Sequence, residues 1–304
     1  MTLSDIETRR QIVSVCARLR SKYASAFSGA KLVEPNAAFF PDEIDVSEGG
    51  IRTLFQRMLS YSPVPSDVPF ELAFVESASS EGESGKSCSS GACGPAAGEG
   101  TPLPPLGEND DAYIVPIDVQ VVRNPVRLTT SLVRSVGALT LAYADERSQD
   151  LGVWGEITAA LSGFGVLLAN GSHQLVKGCG GVKLLRGTSL EVEAQCFALA
   201  LFAVTNETKR AARKHLPPTQ EECFDEAVSF LEGQVELLRK YREAPELLAD
   251  GIFDFDAPKG FLSRLFGGSD GKTVTLSPAP RKVRTPEEEL RLAEARALVE
   301  DVLG

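Results

Sequence analysis

Residues 126–144 read VRLTTSLVRSVGALTLAYA, and residues 153–169 read VWGEITAALSGFGVLLA. Large apolar residues recur in both stretches at spacings of three and four: Leu128, Leu132, Val136 and Leu139 in the first, and Trp154, Ile157, Leu161, Phe164 and Leu168 in the second. This period is typical of an apolar stripe along one side of an α-helix. The small residues Ala160 and Gly163 allow two backbones to approach closely. The sequence therefore predicts a central pair of helices.

The rest of the chain mixes helical and extended patterns around this pair. Helices are predicted over residues 4–27, from a cap at Ser47 to residue 59, from a cap at Ser189 to residue 204, and over residues 219–242. Strands are predicted at residues 31–34, 70–75 and 112–122, and a hairpin with a glycine-rich turn at residues 174–187. This order indicates an α+β fold, in which a small sheet is covered by helices.

Two segments interrupt or follow that fold. Residues 77–110 are rich in Ser, Gly, Glu and Pro, so they cannot bury enough apolar surface to offset their own ordering entropy. We expect a disordered insertion that contacts the core little. We assign residues 1–242 to one domain and residues 243–284 to a linker. A final helix at 285–304 starts at a capping box formed by Thr285 and Glu288, and it is a candidate oligomerisation surface.

The charge and the apolar stretches of the chain indicate which partners and which location to expect. The chain has 31 basic and 42 acidic residues, and its net charge of -11 disfavours nucleic acid and anionic membranes as partners. The N-terminus lacks the uninterrupted apolar core of a secretory signal. The longest apolar stretch, residues 157–170, is shorter than the roughly 20 residues that span a bilayer. We expect a cytoplasmic protein without a transmembrane segment.

The six cysteines do not indicate a disulfide framework. Cys16, Cys196 and Cys223 lie in helix-like apolar patterns, where cysteine usually serves as a small buried hydrophobe. Cys88 and Cys93 lie in the predicted insertion, where their spacing permits free thiols, a local disulfide or two metal thiolates. Because two thiolates leave a tetrahedral site half filled, we expect no structural metal there.

Several segments, read in order, resemble an uncharacterised bacterial protein family. They are FFPD at residues 39–42, LF at 54–55, GFGVLLAN at 163–170, ALALF at 198–202 and HLP at 215–217. The resemblance covers roughly residues 30–235 apart from the insertion. It implies a zincin-like α+β domain, and many members of the family carry a His-Glu-x-x-His helix of a zinc peptidase.

In this chain that zinc-binding motif is degenerate. The motif needs two histidines one helical turn apart to bind zinc, with a glutamate between them to activate the metal-bound water. The resemblance places Arg134 and Ala138 at the ligand positions and Ser135 at the position of the base. Arginine stays protonated, alanine has no donor atom, and serine does not replace a carboxylate as general base. We therefore expect no peptidase activity.

Glu156 occupies the place of an acidic residue that the family carries before its Gly-Phe-Gly run. It is either a relic metal ligand or an acid favoured by the helix dipole in a first turn. If the two central helices keep the arrangement that the resemblance implies, the guanidinium of Arg134 takes the place of the lost cation and forms an ion pair with Glu156. The alternative is that Arg134 turns to solvent. The ion pair predicts a nitrogen of Arg134 within about 4 Å of a Glu156 oxygen.

These expectations define two functional hypotheses. The leading one is a catalytically silent, metallopeptidase-like protein that acts as a binding or scaffolding module, without a metal or cofactor and with a protein partner. The alternative is a metal-dependent hydrolase with relocated ligands, for example Glu156 together with His173 or with cysteines.

Overall fold

The fold contains both helices and strands, as the sequence predicts for the α+β class. The computed structural model describes residues 3–42, 45–76, 106–109, 111–146, 151–178 and 181–256. The helices are α1 (Ile6–Lys22), α2 (Ala24–Phe27), α3 (Glu48–Leu59), α4 (Val119–Val122), α5 (Pro125–Tyr143), α6 (Leu151–Ala159), α7 (Gly165–Ser172), α8 (Val192–Thr205), α9 (Lys209–Arg213), α10 (Pro218–Glu232) and α11 (Val235–Glu243). The strands are β1 (Phe70–Val75), β2 (Gly107–Glu108), β3 (Tyr113–Asp118), β4 (Gln174–Gly178) and β5 (Gly181–Leu185).

Local sequence signals set both ends of α5. The side chain of Asn124 accepts a hydrogen bond from the backbone N–H of Arg127, and Pro125 stands at the first helical position, where no N–H is needed. At the other end, Asp145 adopts a left-handed φ of 53°, and the N–H of Glu146 reaches back to the carbonyl of Leu141 at 2.9 Å. This arrangement is a Schellman motif, which satisfies carbonyls of the last turn.

The two central helices approach closely, but at Gly137 and Gly155 rather than at the predicted Ala160 and Gly163. A Cβ atom added to Gly137 on α5 would lie 1.9 Å from the carbonyl oxygen of Gly155 on α6. A Cβ on Gly155 would in turn lie 3.2 Å from the backbone nitrogen of Ala138. The two backbones therefore touch where Gly137 and Gly155 meet.

A π-helical turn, Ala160–Phe164, joins α6 to α7 and changes the path of the helix at Gly163, which has φ 99°. The carbonyl of Gly163 accepts the N–H of Val33 at 3.0 Å, and a Cβ at Gly163 would collide with the carbonyl of Lys31. The prediction of a strand at residues 31–34 is therefore wrong. This segment hydrogen-bonds to a carbonyl at the helix kink rather than to a neighbouring strand.

The described strands form two small sheets. In the first, β1 pairs in parallel with β3, with Phe70 opposite Tyr113, and β2 pairs antiparallel with β3. Gly107 and Glu108 thus form a strand, so the prediction of a disordered insertion is wrong at these two residues. Residues 77–105 and 110, with Cys88 and Cys93, lie outside the described residues. In the second sheet, β4 and β5 form the predicted hairpin, with Gln174 opposite Leu185.

The C-terminal part of the fold departs from the predicted boundaries. The single helix expected over residues 219–242 is divided into α10 and α11 around Gly233. Residues up to Asp256, beyond residue 242, also contact the helical part of the fold. The side-chain amide nitrogen of Gln234 donates to the carbonyl of Asp256 at 3.1 Å, and its oxygen accepts the N–H of Asp256 at 2.6 Å. The remaining linker, residues 257–284, and the expected helix at 285–304 lie outside the described residues.

One continuous helical run, Leu151–Ser172, is long and apolar enough to cross a membrane. However, 78% of its most apolar window is buried inside the protein. Its side chains, including Ile157, Phe164 and Leu168, belong to the main hydrophobic core. The apolar character of this run is therefore accounted for by packing against its neighbours.

Candidate functional site

Arg134 of α5 and Glu156 of α6 form a buried ion pair. The Nε atom of Arg134 lies 2.7 Å from Oε1 of Glu156, and the two side chains are 2% and 0% exposed. The N–H at Nε is not aligned with the carboxylate well enough for a straight hydrogen bond, so this contact acts mainly through charge. The prediction of a pair between these residues is confirmed, and the alternative of a solvent-facing Arg134 is wrong.

The other two nitrogens of the guanidinium bind the segment that precedes α8. Nη1 donates to the carbonyl of Gly187 at 3.0 Å, and Nη2 donates to the hydroxyl of Ser189 at 2.8 Å. Each of the two terminal nitrogens of the guanidinium therefore has its own acceptor. This division of donors suits the planar guanidinium and would not be reproduced by lysine.

The carboxylate of Glu156 receives hydrogen bonds from the same segment and from α8. The backbone N–H of Ser189 donates to Oε1 at 2.6 Å, and the N–H of Leu190 donates to Oε2 at 3.0 Å. The side-chain amide of Gln195 donates to Oε2 at 2.5 Å. With Arg134, each oxygen of the carboxylate therefore has two donor groups facing it.

Burial and pairing act against each other in this network. Burial is the largest influence on the Glu156 carboxyl and raises its pKa overall, although Arg134 and the backbone N–H groups of Ser189 and Leu190 act to lower it. Burial likewise lowers the pKa of Arg134, and the charge of Glu156 opposes that shift. The contacts to Glu156 come from donors, and such contacts favour a charged carboxylate. The pair therefore forms an internally neutralised unit.

Ser135 and Ala138 are also buried, each 2% exposed. Ala138 lies where α5 crosses α6, since a Cβ on Gly155 would contact its backbone nitrogen. A small residue suits this position because the helix axes are close there. Three of the four candidate site residues thus belong to α5, and Glu156 faces them from α6.

The two histidines have other partners. Nε2 of His215 lies 2.7 Å from Oε2 of Glu34, and both side chains are partly buried. His173 is the C-cap residue of α7, and its carbonyl accepts a hydrogen bond from the amide of Gln220 at 2.9 Å. Within the described ranges, no group of three or more His, Cys, Asp or Glu side chains is placed to hold a metal ion.

Sequence reasoning missed the contribution of residues 187–195. It assigned Ser189 as a helix cap, but α8 begins at Val192 with Glu191 as the preceding cap residue. The backbone N–H of Ser189 binds Glu156 instead. One signal was present in the sequence: a buried arginine has five N–H donors, so a single carboxylate does not satisfy it.

No protein-family model, no curated protein and no solved structure matches the chain. Its function is therefore inferred from the geometry and chemistry of the site itself.

Proposed function

We propose that the protein is a catalytically silent, metallopeptidase-like module that binds or scaffolds another protein, and that the Arg134–Glu156 pair stands where a zinc centre would be. The observation that carries this proposal is the 2.7 Å contact between the two side chains, neither of which is more than 2% exposed. An arginine cation beside a buried glutamate neutralises the charge that a metal ion would otherwise neutralise.

The chemistry available at the pair argues against hydrolysis. A general base needs a free lone pair near a substrate or water, whereas both oxygens of Glu156 already accept hydrogen bonds from the protein. Arg134 is an obligate donor in this setting and is occupied by Gly187 and Ser189. The pair is also shielded from solvent, with side chains 2% and 0% exposed, so it does not present a reactive group to a substrate.

The zincin-like identity of the domain is part of this proposal. It is supported by the placement of Arg134 and Glu156 on two adjacent helices, one helix bearing each residue, as the family resemblance implies. The net charge of -11 favours a protein partner over nucleic acid or an anionic membrane, and it is compatible with a cytoplasmic location. No cofactor is included in the proposed function.

The alternative of a metal-dependent hydrolase with relocated ligands is less well supported. It would require Glu156 to release at least one of its present donors in order to coordinate a metal. His173, the histidine that this alternative names, is the C-cap residue of α7, and the described part of the chain offers no three-residue metal-binding group. The cysteines at positions 88, 93 and 179 lie outside the described residues.

Metal content and hydrolysis by the full chain test the proposal together. The protein, purified without chelators, is expected to carry only substoichiometric zinc and to leave a casein substrate intact with or without added zinc. Glu156→Gln should not alter the metal content, and Glu222→Gln, at an exposed position, serves as the matched control. One equivalent of zinc that is lost in Glu156→Gln but kept in Glu222→Gln would support the hydrolase instead.

A further inference from the structure

Cys196 and Cys223 are two buried thiols on neighbouring helices. Cys196 lies on α8 and is 0% exposed, and Cys223 lies on α10 and is 3% exposed. The two helices pack directly against each other. The sequence treated both residues as small hydrophobes, and their burial agrees with that interpretation. Burial alone, however, does not account for their placement next to each other.

The thiol of Cys196 makes polar contacts with α10. Sγ of Cys196 lies 3.4 Å from the carbonyl oxygen of Gln220, one helical turn before Cys223 on α10. The thiols of Cys196 and Cys223 are also hydrogen-bonded to each other. The hydrogen of Cys196 therefore has two acceptors within reach, the carbonyl of Gln220 and the sulfur of Cys223.

This contact makes the two thiols unequal. The hydrogen bond from Cys196 lowers the pKa of the Cys223 thiol, against the opposing influence of burial and of Glu193, Glu226 and Glu222. The same hydrogen bond, together with burial, raises the pKa of Cys196. The ionisation of each thiol therefore depends on the other.

We propose that Cys196 and Cys223 form a redox-responsive pair, which a hydroperoxide converts into a disulfide that joins α8 to α10. The sulfur of one of the two cysteines attacks the terminal peroxide oxygen, the O–O bond breaks, and the displaced oxygen leaves as water or alcohol with the thiol proton. The resulting sulfenic acid is attacked by the sulfur of the other cysteine, whose proton leaves with the hydroxide as water. The two sulfurs together lose two electrons, which the peroxide accepts.

The crosslink would join two core helices near the buried ion pair. Cys196 is adjacent in sequence to Gln195, whose amide binds Glu156. A covalent link between α8 and α10 restricts the unfolded chain, so the oxidised protein is expected to have a higher Tm than the reduced protein. The third described thiol, Cys16 on α1, provides an internal comparison, because burial raises its pKa to about 12.

The test uses the full chain in which Cys88, Cys93 and Cys179 are replaced by serine, so that only the three described thiols remain. The protein is treated with hydrogen peroxide, its remaining thiols are alkylated after denaturation, and the peptides are mapped without reduction. The expected product is a linked peptide pair containing Cys196 and Cys223, with Cys16 alkylated. Its formation should raise Tm, and reduction should reverse both changes.

The matched variants are Cys196→Ser, which should abolish the link, and Cys16→Ser, which should leave it unchanged. If Cys196→Ser does not fold, the peptide map of the parent chain still decides the question. Alkylation of both Cys196 and Cys223 after peroxide treatment would overturn the proposal, as would a link that joins either of them to Cys16.

Discussion

The Nε atom of Arg134 lies 2.7 Å from Oε1 of Glu156, and this contact joins α5 to α6 at a place that solvent does not reach. A buried ion pair is not in itself a source of stability, because removing two charges from water costs about as much as their attraction returns. Removing one partner should cost more stability than removing both, because the remaining charge is then buried without a counter-charge. Gly187, Ser189, Leu190 and Gln195 complete the same unit, so their geometry depends on both charges.

Arg134→Met should reduce the free energy of unfolding by about 3–5 kcal/mol, because Glu156 is left buried without its cation. The double variant Arg134→Met/Glu156→Leu should recover much of that loss, since it removes both charges and keeps the interior apolar. Urea unfolding of the two variants and the wild type provides the measurement. Arg123→Met, at an exposed arginine, is the control and should change stability by less than about 0.5 kcal/mol. Equal destabilisation by Arg134→Met and Arg123→Met would show that the pair is not energetically coupled to the fold.

The helix crossing gives a second prediction, based on two glycines. Gly137→Ala places a methyl group 1.9 Å from the carbonyl oxygen of Gly155, so the helices must separate, and we expect a loss of about 1–3 kcal/mol in the free energy of unfolding. Gly49→Ala adds the same methyl group on α3, where the nearest atom is 3.8 Å away. That change should increase stability by about 0.5–1 kcal/mol, because alanine favours the helix. Chemical unfolding of both variants tests the contrast, which a stabilising Gly137→Ala would contradict.

The environment of Glu146 predicts how the free energy of unfolding changes as the pH becomes acidic. Burial alone raises the pKa of this carboxyl, but hydrogen bonds from Lys22 and Tyr23 and the charge of Arg18 outweigh burial, and the pKa is lowered overall from its usual value of 4.5. A lowered carboxyl pKa contributes stability that is complete above the unfolded-state pKa and is lost as pH falls through the folded-state pKa. The wild type should therefore exceed Glu146→Gln in stability at neutral pH, and the difference should shrink as pH falls below about 4.5.

Urea unfolding of the wild type and Glu146→Gln across this pH range measures that difference. Glu48→Gln is the comparison, because the side chain of Glu48 is 63% exposed and its ion pair with Arg52 is on the surface. It should change stability little at any pH. A wild-type advantage over Glu146→Gln that grows on acidification would have the opposite sign and would exclude the proposed role of Glu146.

Much of the secondary structure could be predicted from the sequence because periodicity and caps act locally. The apolar stripes of the two central segments predicted α5 and α6, and the glycine-rich turn predicted the hairpin of β4 and β5. The kink at Gly163 was not predictable in this way, since it depends on the carbonyl that Gly163 offers to the distant N–H of Val33. For the same reason the segment 31–34, which has a strand-like sequence, is not in a strand.

The candidate site was predictable only in part. The pair of Arg134 and Glu156 was predicted from the positions that the family resemblance implies for them, together with their opposite charges. The contributions of Gly187 and Leu190 come from their backbone groups, which every residue type carries, so no residue pattern marks them. Their position is fixed by the path of the chain between β5 and α8, and this path is a tertiary property.

We propose that α5 and α6 keep the arrangement of a metal centre in which Arg134 stands in the place of the ion. The direct measurement is the zinc content of the folded full-length variant Arg134→His/Ser135→Glu/Ala138→His, with Arg134→His/Ser135→Glu/Ala138→His/Glu156→Gln as its control. The new histidines stand one helical turn apart, and histidine is smaller than Arg134, the largest of the fully buried side chains, so it leaves space for an ion. One equivalent of tightly bound zinc is expected in the triple variant, and little or none in the control. A triple variant that folds, as judged by circular dichroism, and yet binds no zinc would contradict it.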